Sequence, residues 1–169
     1  MADAADLHRA LLARGETVAA AESLTAGLFC ALLAEVPGAS ATLRGGVVVY
    51  ATDLKTTLAS VPAGLLTEHG PVSRPTAAAL AEGVRDACAA TWGVGLTGVA
   101  GPAPVDGHGP GRVYVGVSDG RRTDVVELDL PGDRAAVRAA AAAAAVDALL
   151  DRLGRPSCGN AHRGDRVTP

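Results

Sequence analysis

Lysine is almost absent from this chain: of 15 basic residues 14 are arginine, and the single lysine is Lys55. Isoleucine and glutamine are missing, asparagine and phenylalanine occur once each, and tyrosine occurs twice. This is the signature of a coding bias towards GC-rich codons, under which positions that tolerate arginine drift to arginine. A lysine that survives such drift reads as one required to be lysine. Only lysine can give up its proton near neutral pH when desolvated and so act as a base, whereas arginine stays charged. Composition alone leaves a chance surface lysine as the alternative. The three cysteines, Cys30, Cys88 and Cys158, are scattered with no CxxC pair, which excludes a disulfide framework or zinc site and suits free thiols in a reducing compartment. The charged N-terminal stretch MADAADLHRALLARGE lacks a basic start and an apolar core, and no run approaches a membrane span outside the alanine tract. A cytoplasmic protein with no membrane partner is expected. A net charge of −3 offers nothing to nucleic acid. What is present, 169 residues at 49% apolar content, suffices for one domain that buries roughly 70% of its unfolded surface without metal or disulfide support.

The apolar pattern alternates between helical and strand-like periods with no internal repeat, which predicts an α/β fold. Residues 3–14 read as a helix ended by Gly15, and 17–21 as a short strand. AESLTAG then leads into a helix stopped by Val36 to Gly38. GVVVY, residues 46–50, reads as a strand, followed by a short helix with Thr52 or Asp53 as its cap and Lys55 in its first turn. A helix over 77–88 has Ser73 as cap and Pro75 in its first turn. GVGLT, residues 93–97, reads as a buried strand entering the glycine-rich stretch GVAGPAPVDGHGPG, and VYVGVS and TDVVELDL as a hairpin across DGRR. A last helix over 133–153 carries seven consecutive alanines, Ala139 to Ala145, a sign of close helix packing. The domain is expected over 1–153. Disorder is expected over 154–169, where an RGD triplet reads as chance.

In such a sheet the ligand site lies outside the carboxyl ends of the parallel strands. Three segments fall there: Glu22, Ser23, Thr25 and Gly27; Tyr50 to Lys55; and Thr97, Gly98, Ala100 and Gly101. Hydroxyls and free amides at a strand-to-helix loop suit an anion, whether a phosphate or a developing oxyanion. Taken singly, Ser23 and Thr25 are ordinary capping residues. The convergence of three segments is what raises them to a site.

AESLTAG, VPGASATLRGGVVVYATDLK, EHGPVS and LTGVAGP, in that order and spacing, resemble the C-terminal domain of the competence/damage-inducible CinA family, which also exists as a stand-alone nicotinamide-nucleotide amidohydrolase. The resemblance runs from about residue 5 to 153, and the length suits the stand-alone form. It implies a three-layer α/β/α fold with a mixed, mostly parallel sheet and a homo-oligomer. It also implies hydrolysis of the carboxamide of nicotinamide mononucleotide to nicotinate mononucleotide and ammonia, without a cofactor. The serine, threonine and glycine of the family's ESxTxG fall on Ser23, Thr25 and Gly27, its tyrosine and lysine on Tyr50 and Lys55, and TGxAG on Thr97, Gly98, Ala100 and Gly101.

Amide hydrolysis needs a nucleophile, a base that later serves the leaving ammonia, and donors for the tetrahedral oxyanion. Ser23 is the expected nucleophile, neutral Lys55 the base, and Tyr50 a proton relay or an orienting group. Lys55 then needs a lowered pKa, through burial, a neighbouring cation or the pyridinium of the substrate. Glu22, Thr25, Gly27, Gly46, Thr97, Gly98, Ala100, Gly101 and Arg112 are the expected binding residues, with Arg44 a second candidate for a phosphate. His8, His69, His108 and His162 are too scattered to nominate a partner for serine, and His69 beside Gly70 suits a helix end. No cluster of histidine, cysteine and carboxylate suggests a metal, so activity is expected to survive a chelator. The chain departs from ESCTGG at Leu24 and Ala26, where Ala26 adds a methyl that positive φ would strain, and from YSNxxK at Ala51 and Thr52. After TGVAGP, Ala103, Pro104 and Arg112 stand where the family has further glycines and a GT before the next strand. Two other readings stay open: an amidase for a different nucleotide or pterin-like amide, and a non-catalytic nucleotide-binding module that docks a competence partner. In a binding module Lys55 is free to pair with Asp53 or Glu22 at the surface; in an enzyme it must sit in a cleft within reach of Ser23.

Overall fold

The computed structural model describes residues 3–154. The expectations for the RPSCGNAHRGDRVTP stretch, Cys158 and His162 lie outside them. Helix α1 (Ala4–Arg14) is capped by Asp3, whose side chain accepts from the Ala5 amide, and stopped by Gly15 at φ 64. Strand β1 (Val18–Glu22) is buried on both faces, and its side chains alternate between two cores. Helix α2 (Leu28–Ala34), a 3₁₀ turn (Ala39–Ala41) and strand β2 (Leu43–Val48) follow. Next come α3 (Thr52–Ala59), α4 (Ala63–His69), α5 (Arg74–Ala87), β3 (Trp92–Gly98), β4 (Arg112–Ser118), β5 (Thr123–Asp129) and α6 (Arg134–Arg152).

The sheet order is β2-β1-β3-β4-β5. β1 is parallel to β2 and β3, and β4 is antiparallel to β3 and β5, so β4 alone runs against the other strands. Helices α1, α2 and α6 cover one face around Leu7, Phe29, Val94 and Leu149. α3 and α5 cover the other around Ala59, Val61, Leu80 and Val84. This is the α/β/α arrangement with a mixed sheet. No helix among the described residues is long and apolar enough to cross a membrane.

Three local differences from the sequence reading have physical causes. β2 stops at Val48 and not at residue 50, because its partner β1 ends at Glu22: the Val49 amide makes the last bond to that strand, to Glu22 O (2.8 Å), and beyond it the chain turns into the next helix. The cap of α3 is Ala51, without a side-chain acceptor, and not Thr52 or Asp53, which lie inside the first turn. The helix α4 has too few apolar residues at helical spacing to be read from its sequence; His69 does stand at its end, before Gly70.

α5 carries an apolar stripe, Ala77, Leu80, Ala81 and Val84, and approaches the sheet closely because glycines face it. A Cβ on Gly95 would lie 2.4 Å from Ala77 O, and one on its cross-strand partner Gly116 would lie 2.3 Å from the same oxygen. The two glycines form a trough that seats the start of α5 and, with it, the Pro71 and Val72 segment just before. Gly95→Ala is expected to lower stability by about 2 kcal/mol, the usual scale of overpacking against backbone that cannot move aside. Urea denaturation tests this, and an unchanged midpoint would contradict the trough.

Candidate active site

β1 and β2 are parallel neighbours with Glu22 opposite Val48, so the residues one step beyond, Ser23 and Val49, leave the sheet side by side. Ser23 is held by its amide, which donates to Leu96 O on β3 at 3.0 Å. The chain turns through Tyr50 and Ala51 into α3, whose first turn points Lys55 back at the strand ends. Its Nζ lies 3.0 Å from Ser23 Oγ and 3.0 Å from Val49 O. A cleft of about 210 Å³ opens over this pair, walled by Leu24, Pro71, Val72, Val99, Ala103 and Val105 and continued by Thr97 to Gly101 and Arg134.

Lys55 is only 2% exposed. Burial, which penalises the charged form, lowers its pKa from 10.5 to about 8. The nearest carboxylate in sequence to Ser23 is spent elsewhere: Glu22 accepts from the amides of Gly27 (2.9 Å), Phe29 (3.1 Å) and Cys30 (2.9 Å) and caps α2. Among the described residues, no carboxylate lines the cleft. Ser23 is thus paired with an amine that loses its proton more readily than a solvated lysine, and Lys55 pairs with neither Asp53 nor Glu22.

The structure sorts the remaining candidates. Tyr50 lines the cleft but is 55% exposed, and its hydroxyl accepts from Arg134 Nη2 at 2.6 Å, away from any relay to Lys55. Thr97, Gly98, Ala100 and Gly101 line the cleft, and Thr97 Oγ1 donates to Pro71 O at 2.6 Å, joining two of its walls. Thr25 does not line it: the side chain is fully buried, with its hydroxyl unpartnered among the described residues. The Gly27 amide is committed to Glu22, and φ of 96 at Gly27 makes the turn that allows it. Ala26 sits at φ 49, so the methyl that replaces the family's glycine is strained there. Gly46 is a packing position, since a Cβ there would meet Cys30 Sγ at 2.5 Å. Arg112 is corrected as a phosphate partner, because Glu127 and Asp129 of β5 take its guanidinium. Arg44 likewise donates to Cys88 O, outside the cleft. His8 contacts Thr42 and His108 packs edge-on against Tyr114, so neither faces Ser23. The Cys30 thiol is pushed up to about 12, first by burial and then by Glu22, and is inert at neutral pH.

Two arginines of α6 were missed by the sequence reading. Asp133 caps α6 by accepting from the Ala136 amide at 2.9 Å, which sets Arg134 at the first position and Arg138 one turn later on the same side. Arg134 donates to Gly101 O at 2.8 Å as well as to Tyr50. Arg138 donates to Leu24 O and Thr25 O, each at 2.9 Å. The i, i+4 arginine pair behind a capping Asp was visible; that it faces the Ser23 loop depends on how α6 packs on α2.

The depressed pKa has a measurable consequence for stability. The unfolded chain holds the Lys55 proton up to 10.5 while the folded one releases it near 8. Between those values the unfolded state therefore binds more protons, and stability rises with pH. Relative to Lys55→Met, the wild type is expected to gain about 3 kcal/mol of unfolding free energy from below pH 8 to above pH 10.5. Denaturation curves of both proteins across that range test this; parallel curves would contradict it.

The sequence model of the family described as CinA C-terminal domain matches residues 2–153. A CinA-like protein of Frankia casuarinae is 43% identical over 156 residues, covering 92% of this chain and 36% of that one. A CinA-like protein of Anaeromyxobacter sp. is 49% identical over 140 residues, covering 82% of this chain and 34% of that one. The chain thus spans about a third of the length of these relatives. Among solved structures, a CinA superfamily protein from Klebsiella pneumoniae superposes with a TM-score of 0.86 at 28% identity, over 89% of this chain and 94% of that one. The competence/damage inducible protein CihA from Agrobacterium tumefaciens superposes with a TM-score of 0.82 at 30% identity, over 89% of this chain and 96% of that one.

Proposed function

The chain belongs to the CinA C-terminal domain family, and from that premise we propose that it is an amidohydrolase that cleaves the carboxamide of nicotinamide mononucleotide. The observation that carries this reading is the buried Lys55 Nζ, 3.0 Å from Ser23 Oγ on the floor of a cleft that no carboxylate of the described residues lines. A module that only bound nucleotides would have no use for a desolvated amine against a serine hydroxyl. An amide hydrolase can use the pair as a nucleophile beside its base.

In the first step the neutral amine of Lys55 takes the proton from Ser23 Oγ as Oγ bonds to the carboxamide carbon, and the carbonyl π pair moves to the oxygen. The resulting ammonium then protonates the departing nitrogen as the C–N bond breaks, which leaves an ester on Ser23 and free ammonia. Water, deprotonated by the same amine, cleaves the ester and regenerates Ser23. The Val49 carbonyl holds Nζ in place throughout. The pyridinium of the substrate adds a cation near Lys55 and favours its neutral form further.

Arg134 at the cleft mouth suits the substrate phosphate. Its guanidinium is exposed, already oriented by Gly101 O and Tyr50, and the first position of a 19-residue helix adds the favourable end of the helix dipole. Tyr50 supports this binding group and is not needed in the proton path. The apolar walls suit the flat pyridine ring.

Ammonia release from nicotinamide mononucleotide by the purified protein tests the proposal. Ser23→Ala and Lys55→Arg are each expected to lower kcat by at least about a hundredfold, since arginine cannot serve as the base. For the wild type, kcat/KM should rise with pH up to a limb near 8, set by deprotonation of Lys55 in the free protein. Arg134→Ala should raise KM for the nucleotide. A folded protein silent towards this substrate, or full turnover by Lys55→Arg, would sink the reading.

A further inference from the structure

The guanidinium of Arg138 reaches from α6 to the segment that carries the nucleophile and grips two successive carbonyls, Leu24 O through Nε and Thr25 O through Nη2. A trans peptide places its C=O and N–H on opposite sides. Holding Leu24 O on the guanidinium therefore turns the Thr25 amide away from it. Most amides of this segment are committed: Ser23 to Leu96 O, Ala26 to Ser23 O, Gly27 to Glu22 and Leu28 to Thr25 O. Among the described residues, those of Leu24 and Thr25 donate to nothing. Leu24 lines the cleft next to Ser23. Two uncommitted amides directly after a nucleophile, the first of them on a residue that lines the reaction cleft, are the kind of donors that a developing oxyanion requires. The cation on Leu24 O polarises the Leu24–Thr25 peptide and strengthens the Thr25 N–H dipole, and its second prong, on Thr25 O, fixes the next peptide, whose Ala26 N–H closes the turn on Ser23 O.

We infer that Arg138 is a positioning residue: its two-pronged hold on the Leu24 and Thr25 carbonyls fixes the turn that follows Ser23, directly through the peptide of the Thr25 amide and by way of the Ala26–Ser23 bond for the Leu24 amide, and so keeps these donors set to receive the oxyanion formed when Ser23 attacks an amide. The inference rests on the amidase reading and extends it to a residue that touches neither substrate nor Lys55. Its effect belongs to the transition state, because the negative charge that the amides meet exists only there. Loss of the hold therefore lowers kcat and leaves KM in place, unlike loss of Arg134. A lysine cannot replace it, since one ammonium lacks the fixed fork that spans two carbonyls.

The test is steady-state hydrolysis of nicotinamide mononucleotide by wild type, Arg138→Ala, Arg138→Lys and Arg134→Ala, with a thermal melt of each. Arg138→Ala is expected to lose about a hundredfold in kcat, the scale of one oxyanion donor, with KM within about twofold and the pH limb unmoved. Arg138→Lys, which keeps the aliphatic stem and guards against a folding defect in the alanine variant, should recover little. Free guanidinium ion at millimolar concentration should restore part of the turnover of Arg138→Ala. Wild-type kcat in the Arg138 variants, a loss confined to KM, or a displaced pH limb would overturn the inference while the amidase reading stood. A wild type that releases no ammonia would overturn both.

Discussion

A lysine amine with almost no access to water is the constraint on which the rest of this structure depends. Its ammonium form is costly to bury and its neutral form still needs partners, so the protein has to supply polar atoms at one point. It does so by ending two parallel strands at the same level. Because Glu22 and Val48 are register partners, Ser23 Oγ and Val49 O come within 3.0 Å of one Nζ. The Val49 amide, bonded to Glu22 O, locks that exit from the sheet, and the Ser23 amide, bonded to Leu96 O, locks the other. The glycine trough beneath α5 brings the Pro71 segment against Thr97 and closes the cleft from the third side.

The electrostatic layout follows from where the carboxylates are placed. Glu22, one residue from Ser23, is turned away to cap α2, and Arg112 is neutralised by Glu127 and Asp129 on the sheet edge. The cleft keeps Lys55 inside and Arg134 at its mouth, a field that favours an anionic ligand and an uncharged amine together. α6 serves this site twice: Arg134 orients Tyr50 and the Gly101 carbonyl, and Arg138 braces the Ser23 segment from behind.

Much of this was readable in the sequence. One lysine among 15 basic residues marked Lys55 before any geometry was known, and the strand-loop-helix pattern put Ser23, Lys55 and Thr97 at one end of the sheet. The helix over α5 followed from its apolar period, Ser73 and Pro75. Binding roles were less readable, because an amide or guanidinium looks free in sequence until its acceptor is known. Gly27, Arg112 and Arg44 were candidates on residue type, and each is committed to a partner distant from the cleft or internal to its loop. Gly46, one of the expected binding residues, serves packing against Cys30. Arg134 and Arg138 went unnoticed because their site contacts lie 33 to 114 residues away in sequence, and helix periodicity says nothing about which loop a helix end meets.

Burial brings the pKa of the Lys55 amine, in contact with Ser23, close enough to physiological pH for a working fraction of it to be neutral. Because this is the single lysine of the chain, selective isotopic labelling of lysine yields one side-chain signal free of overlap, and its pH titration by nuclear magnetic resonance reads the amine directly. The account predicts a midpoint near 8 for the folded protein. A midpoint at the ordinary value of 10.5 would show a solvated or ion-paired ammonium and would contradict the account.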